Sequence, residues 1–149
     1  MQTRIQKEFV DTGFGFPIRL MNVPMVKVRG AWTPKLNYNE LALAVLRALS
    51  QKAARLTGSE VRFIRNHLEL TLQEFAGRFC VTHVAVMKWE RAKSHPTAMA
   101  WATEKDIRLF ILSKLTARSD EWVELYARLE RLPEGKAAPI QLNARQVAA

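Results

Sequence analysis

The residues that follow Val81 carry the chemistry open to this chain. Val84, Met87, Lys88 and Arg91 recur at i, i+3, i+4 and i+7, so on a helix they share one face, with His83 at its exposed first turn and Thr82 just ahead. A hydroxyl, an imidazole, two apolar groups and two cations on one surface suit a groove of hydrogen-bonding base edges flanked by phosphates. Lys88 can reach a guanine edge or a phosphate, while Thr82, His83 and Val84 can each read a base. Arg91 and Lys93 suit the flanking phosphates, although plain surface charge is the bland reading of both. A lone lysine is likewise usually solvated. An exposed Val84 has no structural purpose and is the more telling residue. Catalysis has no comparable support: His67, His83 and His95 share no metal-ligand spacing, and no acid, histidine and nucleophile form a set. No metal or cofactor is expected. Cys80, the single cysteine, reads as inert packing in an apolar turn rather than a reactive thiol.

Such a face needs two elements to hold it, and TLQEFAGRFCVTHVAVMKWE, from Thr71 to Glu90, supplies two short helices joined by a tight turn. In the first, Leu72, Phe75, Ala76 and Phe79 make an apolar stripe at helical spacing. Thr71 and Glu74 form a capping box that fixes its start. The amides of Leu72 and Gln73 open that helix, where phosphate binds readily, but every helix start offers such amides. Thr82 caps the second helix, Val81 can staple onto Val86, and Val86 and Trp89 face inward. With the small Ala76 at the closest approach, this is a helix-turn-helix pattern.

On these residues the segment resembles the DNA-binding module of the Cro and lambda-repressor, or XRE-type, regulators. The preceding TGSEVRFIRNHLEL and the following WERAKSHP extend the likeness to about half the chain. The resemblance implies contact with double-stranded DNA and a structural pairing of Arg65 with Glu90. Two departures stand out. Cys80 occupies the place of the family's turn glycine, where positive φ penalises a Cβ, so the turn is expected to be distorted or less left-handed. Ala92 replaces the exit glycine, so the chain is expected to leave the second helix at a different angle.

The whole chain bounds these readings. Its 149 residues, 48% hydrophobic, are enough for a proper core. A net charge of +9 favours a polyanionic partner, and residues 1–57 hold most of it, with nine basic against three acidic side chains. Either that region also touches phosphates or its charges only aid solubility. One cysteine permits no internal disulfide, the N-terminus lacks an apolar h-region, and the run LALAVL is too short to span a bilayer. A cytoplasmic location and no membrane partner are expected.

The fold class read from the pattern is mainly α, an XRE-type helix-turn-helix domain with a small N-terminal β-hairpin and a connecting helix. Residues 1–36 form the hairpin segment, with Ile18 and Leu20, then Val26 and Val28, at the period of half-buried strands and a turn near Asn22 to Pro24. Residues 37–56 hold a connecting helix of roughly Tyr38 to Arg55, capped by Asn37 or Asn39, with Leu41, Val45, Ala48 and Leu49 inward. Residues 57–132 make up the DNA-binding domain. Thr57 and Glu60 cap a helix with Val61, Ile64 and Leu68 inward. Met99, Ile107, Phe110, Ile111 and Leu115 complete the core. A last helix begins at Ser119, runs to about Leu132 and ends before Pro133. Its stripe of Trp122, Leu125, Tyr126 and Leu129 is read as core ahead of a dimer face. Residues 133–149 read as a flexible tail.

A second resemblance covers the opening of this domain. Leu56 to Arg65, LTGSEVRFIR, is similar to the "LTG-E-IRF-R" of MqsA-like antitoxin regulators, which join a zinc ribbon to this helix-turn-helix. The ribbon's cysteines are absent here, so toxin binding through that part is not carried over. The resemblance implies a DNA-binding homodimer that represses its own promoter at an inverted repeat, with a toxin protein as a possible partner. The rival from another class is a protein-interaction adaptor, the helix-turn-helix serving as scaffold and the Val84–Met87 face docking a protein. The basic total weighs against it.

Overall fold

The computed structural model describes residues 1–115, 119–129 and 134–149. Among them the chain is a helical fold with a small sheet, divided into two compact units: Met1–Val45 with Pro139–Ala149, and Leu46–Ala138.

The first unit is organised on one long strand. β2 (Ile18–Val28) pairs antiparallel with β1 (Thr3–Asp11) along one side, and with β3 (Ala31–Pro34) on the other. β4 (Ile140–Asn143) pairs with it in parallel, Ile18 opposite Ile140. The expected turn at Asn22 to Pro24 is therefore wrong: β2 runs straight through it, and the first hairpin instead closes between Asp11 and Ile18. There Asp11 Oδ1 accepts the Gly13 amide at 2.7 Å and Gly15 takes φ 96. The second hairpin has Arg29 and Gly30 at φ 50 and 82, the double positive φ of a tight two-residue connection.

Asn22, at φ 56, explains the misreading. The buried positions of β2 are Ile18 and Leu20 before it but Val23 and Met25 after it, so the alternation changes phase at that residue. Asparagine tolerates this conformation better than most side chains. The expected inward pair Val26 and Val28 is accordingly displaced, and Val28 is 46% exposed. Residues 140–147 are not a flexible tail: after β4, a 3-10 helix (Ala144–Val147) buries Ala144 and Val147, and the Val147 carbonyl accepts the Asn37 amide at 3.0 Å.

α1 (Tyr38–Ser50) starts where Asn37 Oδ1 accepts the amides of Asn39 and Glu40. It buries Leu41, Val45 and Leu49 and stops five residues short of the expected Arg55, where Lys52 and Arg55 turn their charges to other work.

The second unit contains α2 (Gly58–His67), α3 (Leu72–Arg78), α4 (His83–Arg91), α5 (Trp101–Lys114) and α6 (Ser119–Leu129). The capping boxes Thr57–Glu60 and Thr71–Glu74 are both formed. Val61 and Ile64 on α2, Phe75 and Ala76 on α3 with Phe79 at its C-cap, and Val86 and Trp89 on α4 are buried, with Leu68 and Leu72 partly so. Phe79 meets Phe75 and Phe110 edge to face, at centroid distances of 4.8 and 5.5 Å. α6 packs on α5 through Leu125 and Leu129 against Leu112. Trp122 and Tyr126, read as core, are exposed at 37% and 40% and stack on each other instead. The expected extension of this helix to Leu132 lies outside the described residues.

Under the helices runs an ionic network that the sequence pattern does not disclose. Glu104 and Arg108 on α5 are fully buried and joined at 2.7 Å. Glu104 also accepts Arg55 Nε at 2.8 Å and the Leu56 amide, while Arg108 donates to the carbonyls of Lys52 and Ala54. Lys52 reaches Glu60, the capping carboxylate of α2, at 2.8 Å. Burial lowers the pKa of Arg108 and the Glu104 carboxylate opposes that shift. The loop from α1 to α2 is thus fastened to α5 and to the start of α2.

Candidate nucleic-acid interface

Three local devices place α4. The first is its start: Thr82, extended at ψ 154, accepts the Ala85 amide on its hydroxyl at 3.1 Å. The second is the turn from α3. Cys80 sits at φ 57, so the turn is left-handed as it would be with glycine, and the cysteine is strained and exposed rather than distorted and packed. The third is a clamp from α2. Arg65 donates from Nε and Nη2 to the two carboxylate oxygens of Glu90 at 2.7 and 2.9 Å, and from Nη1 to the Leu70 carbonyl at 3.1 Å. The hydrogen bonds to Glu90 raise the pKa of the Arg65 guanidinium against the burial that would lower it.

The far end of α4 is fixed by a contact that sequence reading missed. A Cβ on Gly58, the first residue of α2, would stand 2.3 Å from the Trp89 carbonyl oxygen and 2.6 Å from the Lys93 nitrogen. The α2 start therefore lies directly on the α4 end, with Gly58 and Ser59 amides donating to the carbonyls of His95 and Lys93. Ala92 keeps a helical conformation, and the left-handed residue of the exit is Lys93, at φ 52. The angle of departure is thus set one residue later than the glycine position.

With Val86 and Trp89 turned inward, the opposite face of α4 is open. Thr82, His83, Val84, Lys88 and Arg91 are exposed, Val84 at 47%, and Met87 is half-buried. Lys93 is exposed but lies beyond the helix. Gln73 is exposed at the start of α3 and Leu72 is half-buried; the amides of both precede the first residue able to bond within the helix. Thr82, His83, Val84, Met87, Lys88 and Arg91 thus lie on one helix or at its cap, whereas Leu72 and Gln73 start α3 and Lys93 follows the end of α4. Among the described residues no cluster of three histidine, cysteine or acidic side chains could hold a metal ion, and no helix is long and apolar enough to cross a membrane.

Two helices, the second capped, clamped and exposed along its outer face, define a helix-turn-helix unit. A stretch of 66 residues is 33% identical to the HTH-type transcriptional regulator DicA of Escherichia coli K12, covering 44% of this chain and 43% of that protein. The match thus spans less than half the length of that relative. No family model matches the chain, and no solved structure matches it.

Proposed function

We propose that this chain is a sequence-specific DNA-binding transcriptional regulator that lays α4 in the major groove. The observation that carries the reading is the outer face of α4, left open while capping, Arg65–Glu90 and the Gly58 contact fix the helix itself. The similarity to DicA supports the same reading. Val84 and Lys88 lie mid-face and read bases, with Thr82, His83 and Met87 beside them. Arg91, Lys93 and the amides of Leu72 and Gln73 take phosphates.

The protein binds as a homodimer to an inverted repeat with half-sites about one helical turn, roughly 34 Å, apart, and represses its own promoter. The antitoxin role is the narrower form of this proposal, and a toxin gene beside this one would support it. Selection of genomic fragments on the purified protein at physiological salt, repeated with Lys88→Ala, is the test. The expected result is a palindrome enriched upstream of the protein's own gene, with specific affinity about 1–3 kcal/mol weaker in the variant and random-sequence affinity nearly unchanged. Equal loss on both would remove Lys88 from base reading. No enriched sequence would sink the regulator and favour a scaffold for protein docking.

A further inference from the structure

We propose that the end of the sheet built around Trp32 is a second phosphate-binding surface, which grips the DNA backbone independently of α4. Lys27 and Trp32 face each other across the β2–β3 ladder, and Arg4 lies opposite Met25 on the adjoining β1–β2 ladder. The Arg4 guanidinium carbon stands 4.3 Å from the centre of the Trp32 ring, and the Lys27 ammonium 6.0 Å from the same centre. Two cations gathered on one indole repel each other, and among the described residues neither has a carboxylate in ion-pair contact to offset the repulsion.

Within this unit Arg19 is paired, with Glu8 at 2.7 Å. Arg4, Lys7, Lys27, Arg29, Lys35 and Arg145 have no carboxylate partner among the described residues. In the helical unit Arg47, Lys52, Arg55, Arg65, Arg78 and Arg108 each meet an acid, whereas Arg62, Lys105, Lys114 and Arg128, like the cations of α4, have no carboxylate partner among the described residues. What sets the sheet surface apart is that two cations without a carboxylate partner share one indole.

The indole orients the guanidinium, whose N–H groups a phosphate would accept. Arg4 also donates to Gln6 Oε1 at 3.4 Å, which leaves other guanidinium N–H groups free. No groove is read by this surface, so it adds affinity without sequence preference.

The inference rests on the DNA-binding reading above. It is tested with the full chain on a random-sequence duplex of ~40 base pairs, by measuring affinity from about 50 to 200 mM salt. Each cation that releases a counterion contributes about 0.9 to the slope of log affinity against log salt. Arg4→Gln with Lys27→Gln is expected to flatten the slope by about 1.8, and Lys27→Gln alone by about 0.9. Arg4→Lys with Lys27→Arg is expected to keep the wild-type slope, which separates charge from damage to the sheet. Unchanged slopes in the glutamine variants, with wild type still binding, overturn the sheet contact alone and point this face toward an acidic protein. A wild-type chain that binds the duplex without salt dependence overturns the regulator reading and this inference together.

Discussion

Gly58→Ala sets two general effects against each other. Alanine is the better helix former, and by propensity alone the substitution stabilises α2 by roughly 0.5–1 kcal/mol. Against this, the new methyl would sit 2.3, 2.6 and 2.9 Å from the Trp89 oxygen, the Lys93 nitrogen and the Glu90 oxygen. All three are backbone atoms of α4 and its exit, so no rotamer change relieves them. Overpacking by a methylene costs about 1–3 kcal/mol where neighbours yield, and rigid backbone neighbours put this site at the upper end. The net loss is about 2 kcal/mol, which lowers the melting temperature of a helical unit of this size by on the order of 10 °C. Gly77 is the internal control. It is an exposed residue of α3 with nothing within 4 Å of a built Cβ, so Gly77→Ala gains the propensity term alone. Thermal and urea denaturation of both variants decide the matter. If Gly58→Ala melts at or above wild type, α2 does not press on the end of α4, and the account of how that helix is fixed fails.

Other perturbations test the remaining supports. Arg65→Lys keeps the charge but cannot span both Glu90 oxygens and the Leu70 carbonyl, and is expected to cost about 1.5–3 kcal/mol in urea melts; an unaltered midpoint would show the fork to be idle. Cys80→Gly removes a Cβ held at φ 57 and should stabilise by up to about 1 kcal/mol, whereas Cys80→Val should destabilise. The native thiol should also react with a disulfide reagent without denaturant, and burial-like protection would count against the exposed turn. The Thr71 amide and hydroxyl hydrogen bonds hold the Glu74 carboxyl below its ordinary 4.5. A lowered folded pKa means a contribution present above the unfolded value and lost as pH falls through the folded one. Carboxyl-resolved NMR titration should find Glu74 low, and Thr71→Ala, which keeps the amide donor, should return it only part of the way to normal; a normal wild-type value would contradict the capping box.

What the sequence disclosed follows from the range of each signal. Capping needs partners three residues apart, so Thr57 with Glu60, Thr71 with Glu74, and Thr82 were legible, as were the apolar stripes they introduce. Arg65 with Glu90 came through family likeness, since no local rule links residues so far apart. β1 was invisible because TRIQKEFVD leaves most of its side chains in solvent and so shows no apolar period. In β2 the phase change at Asn22, with Pro24 close behind, imitated a turn. β4 depends on a partner more than a hundred residues away. Glu104 and Arg108 have the i, i+4 spacing of an ordinary surface pair; the available sign was that Arg108 directly follows Ile107 on the buried stripe. Trp122 and Tyr126 misled because aromatic side chains at helical spacing report a stripe without reporting its width, and among the described residues of α6 it is Leu125 and Leu129 that are buried against α5.

The parallel pairing of β4 with β2 gives the chain an order of assembly. The sheet unit is discontinuous in sequence, with the helical segment Leu46–Ala138 inserted before its last strand. At a synthesis rate of roughly 5–20 residues per second, the stretch of β2 from Ile18 to Met21 waits several seconds for Ile140–Asn143 to emerge. During that interval the chain displays an open β edge while its helix-turn-helix is already available to close. A nascent chain of this protein is therefore vulnerable to strand-mediated association at its beginning, and released from it by its end.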